Sequence, residues 1–230
     1  EKNNLVLLCA FNKRFDPQII KIREDLHRNK IGKVHQINTI SRDYPYPTYN
    51  YLIISGGIIH DCAVHDIDFI NWILNDKPIS VYVTGNIVSQ YNINGGTLDN
   101  AIIILEYSNG ILVNINCSRI STNYDQRIEI YGEKGTLISS NPYQEFDMIP
   151  ISFPERYNQS YKNELQHFID VIEGQEEIII GLNDNINLIR IVNACENSYN
   201  NSMKVTIKYA DGFRNYTNVD DAIRNNYLMS

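Results

Sequence analysis

The chain has 230 residues, of which 43% are hydrophobic, and its formal net charge at pH 7 is −7. That length can bury a sizeable core and corresponds to one domain or two small ones. The acidic balance, without any cluster of Lys and Arg, argues against nucleic acid as the main partner. The longest apolar runs, such as Leu5–Phe11 and Ala101–Leu105, are far too short to span a bilayer.

The four cysteines are widely spaced and include no C-x-x-C pair. In a chain of this length they indicate free, buried thiols in a reducing compartment rather than a disulfide framework. We therefore expect a cytoplasmic protein.

The first third of the chain predicts a strand, a helix, a second strand and a second helix. Leu5–Cys9 has the length and composition of a buried strand, and because little precedes it we expect a fragment or a natural truncation. Asp16 before Pro17 predicts a helix start. The remaining predictions here are a helix end near Asn29 and Gly32, a strand over Val34–Ile40, a loop over Tyr44–Tyr51 and a helix to about Leu74.

From residue 79 onward the pattern changes to strands and then to two helices. Asn109-Gly110 predicts a hairpin with a type I′ turn, in which both central residues have positive φ. A second hairpin is predicted at Gly132–Gly135. The predicted strands are Val81–Val88, Asn100–Tyr107, Ile111–Ser118, Arg127–Tyr131, Thr136–Ser139 and Met203–Lys208; the predicted helices are Tyr161–Ile172 and Asn185–Tyr199; Ser140–Tyr157 is predicted to be an irregular linker and Tyr209–Ser230 a polar tail.

These elements predict an α+β fold with a largely antiparallel open sheet and helices on one face. The other face carries alternating apolar residues of Ile102–Leu105 and Ile111–Ile115 and has nothing in the chain to cover it. An apolar sheet face of this kind is typical of an oligomer interface, so we expect a homodimer or a homotetramer formed through that face.

Three polar residues near position 60 form the most informative pattern in the chain. Asp61, His65 and Asp68 are spaced i, i+4 and i+7, so on a regular helix they share one face. A histidine between two carboxylates is suited to proton transfer. The preceding Gly56-Gly57 pair would allow a tight turn and a close approach to a ligand.

Structural interpretations of the same residues remain open. Asp61 could cap a helix N-terminus, and His65 could be a hydrogen-bonded core histidine. Asp66 and Asp68 could form a solvated face near the positive end of the helix dipole. A metal site is disfavoured, because His60 and His65 are five residues apart and point to different faces of a helix.

Five segments in order resemble the glucose-fructose oxidoreductase, inositol dehydrogenase and rhizopine-catabolism (Gfo/Idh/MocA) family, and most closely its inositol 2-dehydrogenases. Each is weakly specific alone, and together they extend over roughly residues 1–208. The segments are residues 10–17 (AFNKRFDP), 41–43 (SRD), 56–68 (GGIIHDCAVHDID), 124–127 (YDQR) and 131–135 (YGEKG).

The resemblance implies an N-terminal Rossmann domain that binds NAD or NADP, followed by an α+β domain that supplies the substrate pocket and the oligomer contacts. This chain resembles the second domain alone, with residues 1–208 as the domain and 209–230 as the tail. It contains no G-x-G-x-x-G turn, so we expect no cofactor to bind to this chain by itself. Glu1-Lys2-Asn3 lacks the proline of the family's Glu-Lys-Pro motif, and Lys2 is not assigned a catalytic role.

Carried over by position, His65 resembles the proton acceptor for the alcohol being oxidised, and Asp61 the carboxylate that holds His65 and contacts a substrate hydroxyl. Asp68 is expected to face the sugar-like ring of the substrate as well. Tyr124 resembles a pocket tyrosine, although packing is an equal alternative. Lys13 stands where these enzymes often have arginine, and lysine lacks the planar fork for bidentate contacts.

For Arg14, Arg42 and Arg127 two interpretations stay open: a functional role, or a solvated or structural ion pair.

The resemblance therefore implies the substrate-binding part of an NAD(P)-dependent oxidoreductase that converts a hydroxyl of a cyclic polyol or sugar into a ketone. The alternative is a non-catalytic oligomerisation or ligand-binding module that has lost its cofactor domain.

Overall fold

Seven strands form one open sheet in the computed structural model, which describes residues 5–89, 97–141 and 152–209. The strands are β1 (Val34–Arg42), β2 (Pro78–Asn86), β3 (Asn100–Tyr107), β4 (Leu112–Ser118), β5 (Asp125–Gly132), β6 (Gly135–Ser139) and β7 (Val205–Thr206). The helices are α1 (Pro17–His27), α2 (Tyr49–Ile54), α3 (Val64–Leu74), α4 (Phe153–Arg156), α5 (Asn158–Ile172) and α6 (Leu182–Asn201).

The strand order is β6-β5-β1-β4-β3-β2-β7, and every adjacent pair is antiparallel except the central β1–β4 pair. In that parallel pair Arg42 lies in register with Ser118, so both strands end at the same edge of the sheet. The chain segments that follow β1 and β4 therefore start side by side, and this is where the candidate site lies.

Helices cover one face of the sheet, and alternate strand residues point into the core between the two layers. Ile37, Ile103, Val113, Ile115 and Ile130 are each fully buried on that side. The α+β class and the mostly antiparallel open sheet are thus confirmed. No helix in the three described ranges is long and apolar enough to cross a membrane.

The opposite face of the sheet is mixed rather than uniformly apolar. Ile102 and Leu112 are exposed there as predicted, and so is Tyr82 on the neighbouring strand. Asn114, however, pairs in register with Ile104 in the middle of the face. The oligomer interface assigned to this face stays a prediction.

Both predicted hairpins form, but one turn differs from its prediction. Gly110 has a φ of 88°, whereas Asn109 is not among the residues with positive φ. The turn is therefore not of type I′. Instead the Gly110 N–H donates to the Tyr107 carbonyl, and the single left-handed residue is the glycine, which has no Cβ to clash.

The prediction of a strand over Leu5–Cys9 is wrong. This segment is irregular, Leu5 and Leu7 are largely exposed, and it lines an apolar groove together with residues of α6. An apolar run becomes a strand only where a neighbouring strand satisfies its backbone groups, and here no described strand lies beside it.

Four other predictions need smaller corrections. The Tyr44–Tyr51 loop ends in α2, α1 is followed by left-handed Asn29 ahead of Gly32, and Met203–Lys208 contains only the two-residue β7. The predicted Ser140–Tyr157 linker contains α4 near its end. Residues 1–4, 142–151 and most of the predicted tail, from 210 onward, lie outside the described residues.

Candidate functional site

A cavity of about 530 Å³ lies at the sheet edge where β1 and β4 end. Its buried lining is mostly polar and includes Lys13, Ser41 and Ser118, together with the buried ring of Tyr124. Tyr51, Phe153 and Tyr161 line it as well and are exposed. The remaining lining residues used below are Asp43, Asp61, His65, Gln126 and Tyr157. The cavity is of the size and make-up that suit a small polar ligand.

The parallel strand pair positions one side of this cavity. The Asp43 N–H donates to the Ser118 carbonyl at 2.9 Å, which joins the chain leaving β1 to the end of β4. Asp43 thereby lies at the cavity, and burial raises the pKa of its carboxyl. Asp61 contributes to the same rise because it is a neighbouring negative charge.

A π-helical turn over Ile59–Ala63 precedes α3 and carries Asp61. The wider turn interrupts the regular helical spacing, so the face predicted for positions i, i+4 and i+7 is not continuous. Asp61 and His65 line the cavity, whereas Asp68 does not. Asp61 is not a simple N-cap, because its carboxylate oxygens accept hydrogen bonds from side chains instead of from backbone N–H groups.

His65 lies half-buried on the cavity wall with its ring edge-on to Phe11, 5.6 Å between centroids. Burial, with the Lys13 ammonium acting in the same direction, lowers the pKa of His65 to about 4 against the opposing charges of Asp66 and Asp61. The imidazole is therefore neutral near pH 7 and can accept a proton. Its buried Nδ1 has no hydrogen-bond partner among the described residues, contrary to the interpretation of a hydrogen-bonded core histidine.

Asp61 is held by two residues other than His65. Its Oδ2 accepts from Arg119 Nη2 at 2.5 Å, and its Oδ1 accepts from the Tyr51 hydroxyl at 2.6 Å. Both oxygens are thus engaged, and the hydrogen bond expected between Asp61 and His65 is absent from the contacts of these two described residues. Arg119 is fully buried and also donates to Ser55 Oγ.

Lys13 is the centre of a buried network at the base of the cavity. Its Nζ donates to Asp66 Oδ1 at 2.5 Å and to Gln126 Oε1 at 2.9 Å, and Ser41 donates to the other Asp66 oxygen. Burial opposes the charge on Lys13, but the Asp66 carboxylate outweighs it, so the pKa of Lys13 lies above its ordinary value. Asp66 is buried and paired, so the interpretation of a solvated face is wrong at this position.

Asp68 belongs to a separate ion pair behind the cavity wall. Arg14 binds both of its oxygens, from Nε at 2.9 Å and Nη2 at 2.7 Å, and Nη1 donates to the Ile179 carbonyl. Burial raises the pKa of Asp68, and Arg14 acts in the opposite direction. The structure therefore does not bring Asp68 together with the other predicted site residues, and the solvated-face interpretation fails here too.

The other candidates separate into lining and structural residues. Tyr124 both lines the cavity and packs edge-on against Tyr157, so the two interpretations of it hold together. Arg42 donates to the carbonyls of Ser41 and Asn116, and Arg127 pairs with Asp125 at the surface.

Gly56 and Gly57 have φ values of 75° and 86° and so form the predicted tight turn. They do not line the cavity, and a close approach to a ligand at this turn stays a prediction. Among the described residues, no group of three or more His, Cys, Asp or Glu could hold a metal ion.

Four site residues were missed from the sequence: Asp43, Tyr51, Gln126 and Arg119. Asp43 and Gln126 lie inside segments that carry the family resemblance, which was a usable signal. Tyr51 stood in a loop prediction. Arg119 lies 58 residues after Asp61, and no local sequence pattern predicts the ion pair between them.

Comparison with known proteins agrees with this fold. Residues 19–138 match the model of the GFO/IDH/MocA C-terminal domain. Inositol 2-dehydrogenase of Rhizobium meliloti is 31% identical over 220 residues, 87% of this chain and 65% of that protein. Myo-inositol 2-dehydrogenase of Thermotoga maritima is 32% identical over 76% of this chain and 57% of that protein.

A crystal structure of a myo-inositol dehydrogenase from Corynebacterium glutamicum superposes with a TM-score of 0.81 at 32% identity, over 88% of this chain and 65% of that one. The chain thus spans less than two thirds of the length of the two curated relatives. The matched family model covers more than half of the chain, and the fold agrees over most of the described residues. The chain belongs to the Gfo/Idh/MocA family, and the part of the family that it matches is the C-terminal domain.

Proposed function

We propose that this chain is the substrate-binding part of an NAD(P)-dependent dehydrogenase that oxidises a ring hydroxyl of an inositol-like polyol or a sugar to a ketone. The observation that carries the proposal is the meeting of His65 and Asp61 in one cavity. The names of its relatives, which are inositol dehydrogenases, support the substrate class.

His65 is the proposed proton acceptor. Oxidation of an alcohol removes a hydroxyl proton as well as a hydride, and the base must be unprotonated to take that proton. With its pKa lowered to about 4, His65 is unprotonated throughout the physiological range, and it becomes an effective base when the bound substrate and cofactor raise that pKa toward neutrality.

The charged residues of the cavity suit a polyol. Asp61 and Asp43 provide acceptors for ring hydroxyls, and Lys13 has one N–H beyond the two that it donates to Asp66 and Gln126. The hydrogen bond to Asp66 holds the Lys13 ammonium in one position. Lys13 therefore presents a single fixed positive charge, whereas an arginine would offer two parallel N–H donors.

The nicotinamide cofactor would accept the hydride when bound, but the residues of this chain do not fit a dinucleotide site of the Rossmann kind. The sequence has no glycine-rich phosphate turn and no acidic ribose ligand after one. We therefore assign to this chain only polyol binding and proton transfer, and expect NAD or NADP to be held by another domain of the complete protein.

Calorimetric titration tests this division. We expect the 230-residue chain to bind myo-inositol, scyllo-inositol or a pyranose sugar, and to show no micromolar affinity for NAD or NADP. In the complete protein, the same polyol should support reduction of the cofactor. Micromolar nucleotide binding by the chain, or no polyol binding at all, would contradict the proposal.

The second candidate is a non-catalytic ligand-binding or oligomerisation module, which the missing glycine-rich turn favours. The same experiments discriminate between the two. A complete protein that binds a polyol but reduces neither NAD nor NADP would be the module.

We further propose that two copies pair through the open sheet face, as a homodimer or within a homotetramer. Exposed Ile102, Leu112 and Tyr82 support this assignment. Light scattering at micromolar concentration should give a dimer or larger, and Leu112→Lys should dissociate it. Ile172→Lys, at an equally apolar and exposed position on α5, is the control and should not. A stable wild-type monomer would refute the assignment.

A further inference from the structure

The two oxygens of Asp61 are bound by partners of very different kinds. Arg119, on Oδ2, is fully buried and directly follows β4. Tyr51, on Oδ1, is 44% exposed and lines the cavity mouth. The Arg119 contact lies away from the cavity, whereas a ligand in the cavity can reach and replace the Tyr51 contact.

The hydroxyl of Tyr51 is chemically the same kind of donor that a polyol brings. Both are neutral O–H groups that donate to a carboxylate oxygen, and charge-assisted bonds of this type are among the stronger hydrogen bonds. The Asp61 side chain is 20% exposed, so an incoming hydroxyl can reach it from the cavity.

We propose that Tyr51 is a positioning residue whose hydroxyl holds the place of a substrate hydroxyl on Asp61 Oδ1 and is exchanged for it when the polyol binds. This inference rests on the proposed function. No covalent bond changes: the phenol gives up one hydrogen bond to Asp61 and donates to water, while a ring hydroxyl takes over the carboxylate oxygen.

The surroundings of Tyr51 support such an exchange. Of the six residues of α2, only Leu52 is buried, so little packing resists a small displacement of the helix. Asp61 raises the pKa of Tyr51 to about 12, chiefly through their hydrogen bond, so the phenol remains a donor at every pH at which the enzyme would work. In the unliganded site it keeps Asp61 oriented toward the cavity.

Polyol affinity measured by calorimetry on Tyr51→Phe tests the exchange. The variant keeps the ring but removes the competing donor, so the polyol should bind about three- to ten-fold more tightly, the worth of one net hydrogen bond. The matched control is Tyr49→Phe, the same change on the same helix at an exposed position outside the cavity lining, and its affinity should equal that of the wild type.

A set of mono-O-methyl ethers of the same polyol adds a readout that a merely structural role would not move. The isomer whose methyl group blocks the hydroxyl accepted by Asp61 should lose the gain, whereas the other isomers should keep it. In the complete protein, KM for the polyol should fall in Tyr51→Phe and stay at the wild-type value in Tyr49→Phe.

The outcomes separate the two proposals. If the wild type binds the polyol and Tyr51→Phe binds it equally or more weakly, the exchange is wrong and the proposed function stands. If all methyl ethers gain equally, the exchange is also wrong. If the wild type binds no polyol, the proposed function fails and the exchange fails with it.

Discussion

Two carboxylates on either side of His65 have arginine partners, yet their surroundings differ completely. Asp68 is bound by Arg14 through both oxygens, with both side chains almost wholly buried and outside the cavity. Asp61 is anchored by Arg119 through one oxygen, and its other oxygen meets an exposed tyrosine at the cavity. A carboxylate–arginine pair in sequence or in space therefore does not identify a functional acid. What distinguishes Asp61 from Asp68 is its exposure at the cavity.

The largest effect is expected at His65, between the two pairs. His65→Gln removes the proposed base, and turnover of the complete protein should fall about 10²–10⁴-fold while cofactor binding is retained. His60→Gln is the control, because His60 is exposed and lines the apolar groove instead of the cavity. Near-normal turnover of His65→Gln across the pH range would exclude His65 as the base.

Breaking the Asp68 pair should cost stability and leave polyol binding unchanged. Asp68→Asn leaves the buried Arg14 guanidinium without its main counter-charge, and the free energy of unfolding should fall by about 3–5 kcal/mol. The double variant Arg14→Met with Asp68→Leu removes both charges and should recover most of that loss. Denaturant unfolding gives the free energies. A weakened polyol affinity in a folded Asp68→Asn protein would place Asp68 in the site after all.

The smallest effect is a pH dependence of stability. The pKa of His65 is about 4 in the folded chain and near 6.5 when unfolded, so the unfolded state takes up a proton first as the pH falls. Stability from this group is complete above pH 6.5 and is lost toward pH 4, by at most about 3 kcal/mol.

Comparison of the wild type with His65→Gln isolates the contribution of His65. Burial raises the pKa of Glu164 to about 7, so this carboxyl makes the protein more stable as the pH falls through 7, opposite to the effect of His65. Both proteins share this contribution of Glu164. Denaturant unfolding at a series of pH values should show the wild type losing more stability than the variant between pH 6.5 and 4. Parallel curves would contradict the lowered pKa.

Much of the sheet could be predicted because its information is local. Alternating apolar residues and the glycine of the turn between them identified β3 and β4 to within one residue. Leu5–Cys9 failed because strand formation depends on a neighbour, which composition does not contain. In the site, Lys13, Asp61, His65 and Tyr124 were found and do line one cavity.

The partners of these residues could not be predicted in the same way. Asp66 looked like part of a solvated face, since nothing in its own segment indicates the ammonium of Lys13, 53 residues away in the chain. The π-helical turn, which separates Asp68 from Asp61, also lacks a sequence signature. Both features arise from tertiary packing.

The central parallel strand pair has a consequence for the order of folding. Asp43 and Arg119 become neighbours only when β1 and β4 align, which closes a loop of about 75 residues. Contacts of such long sequence separation form slowly, because the loss of chain entropy precedes the gain from the contact. Hairpins such as β3–β4 can form early, before the residues of the cavity come together. A folding intermediate with native-like hairpins would therefore lack this cavity, and the appearance of the proposed polyol binding during refolding would report closure of the central pair.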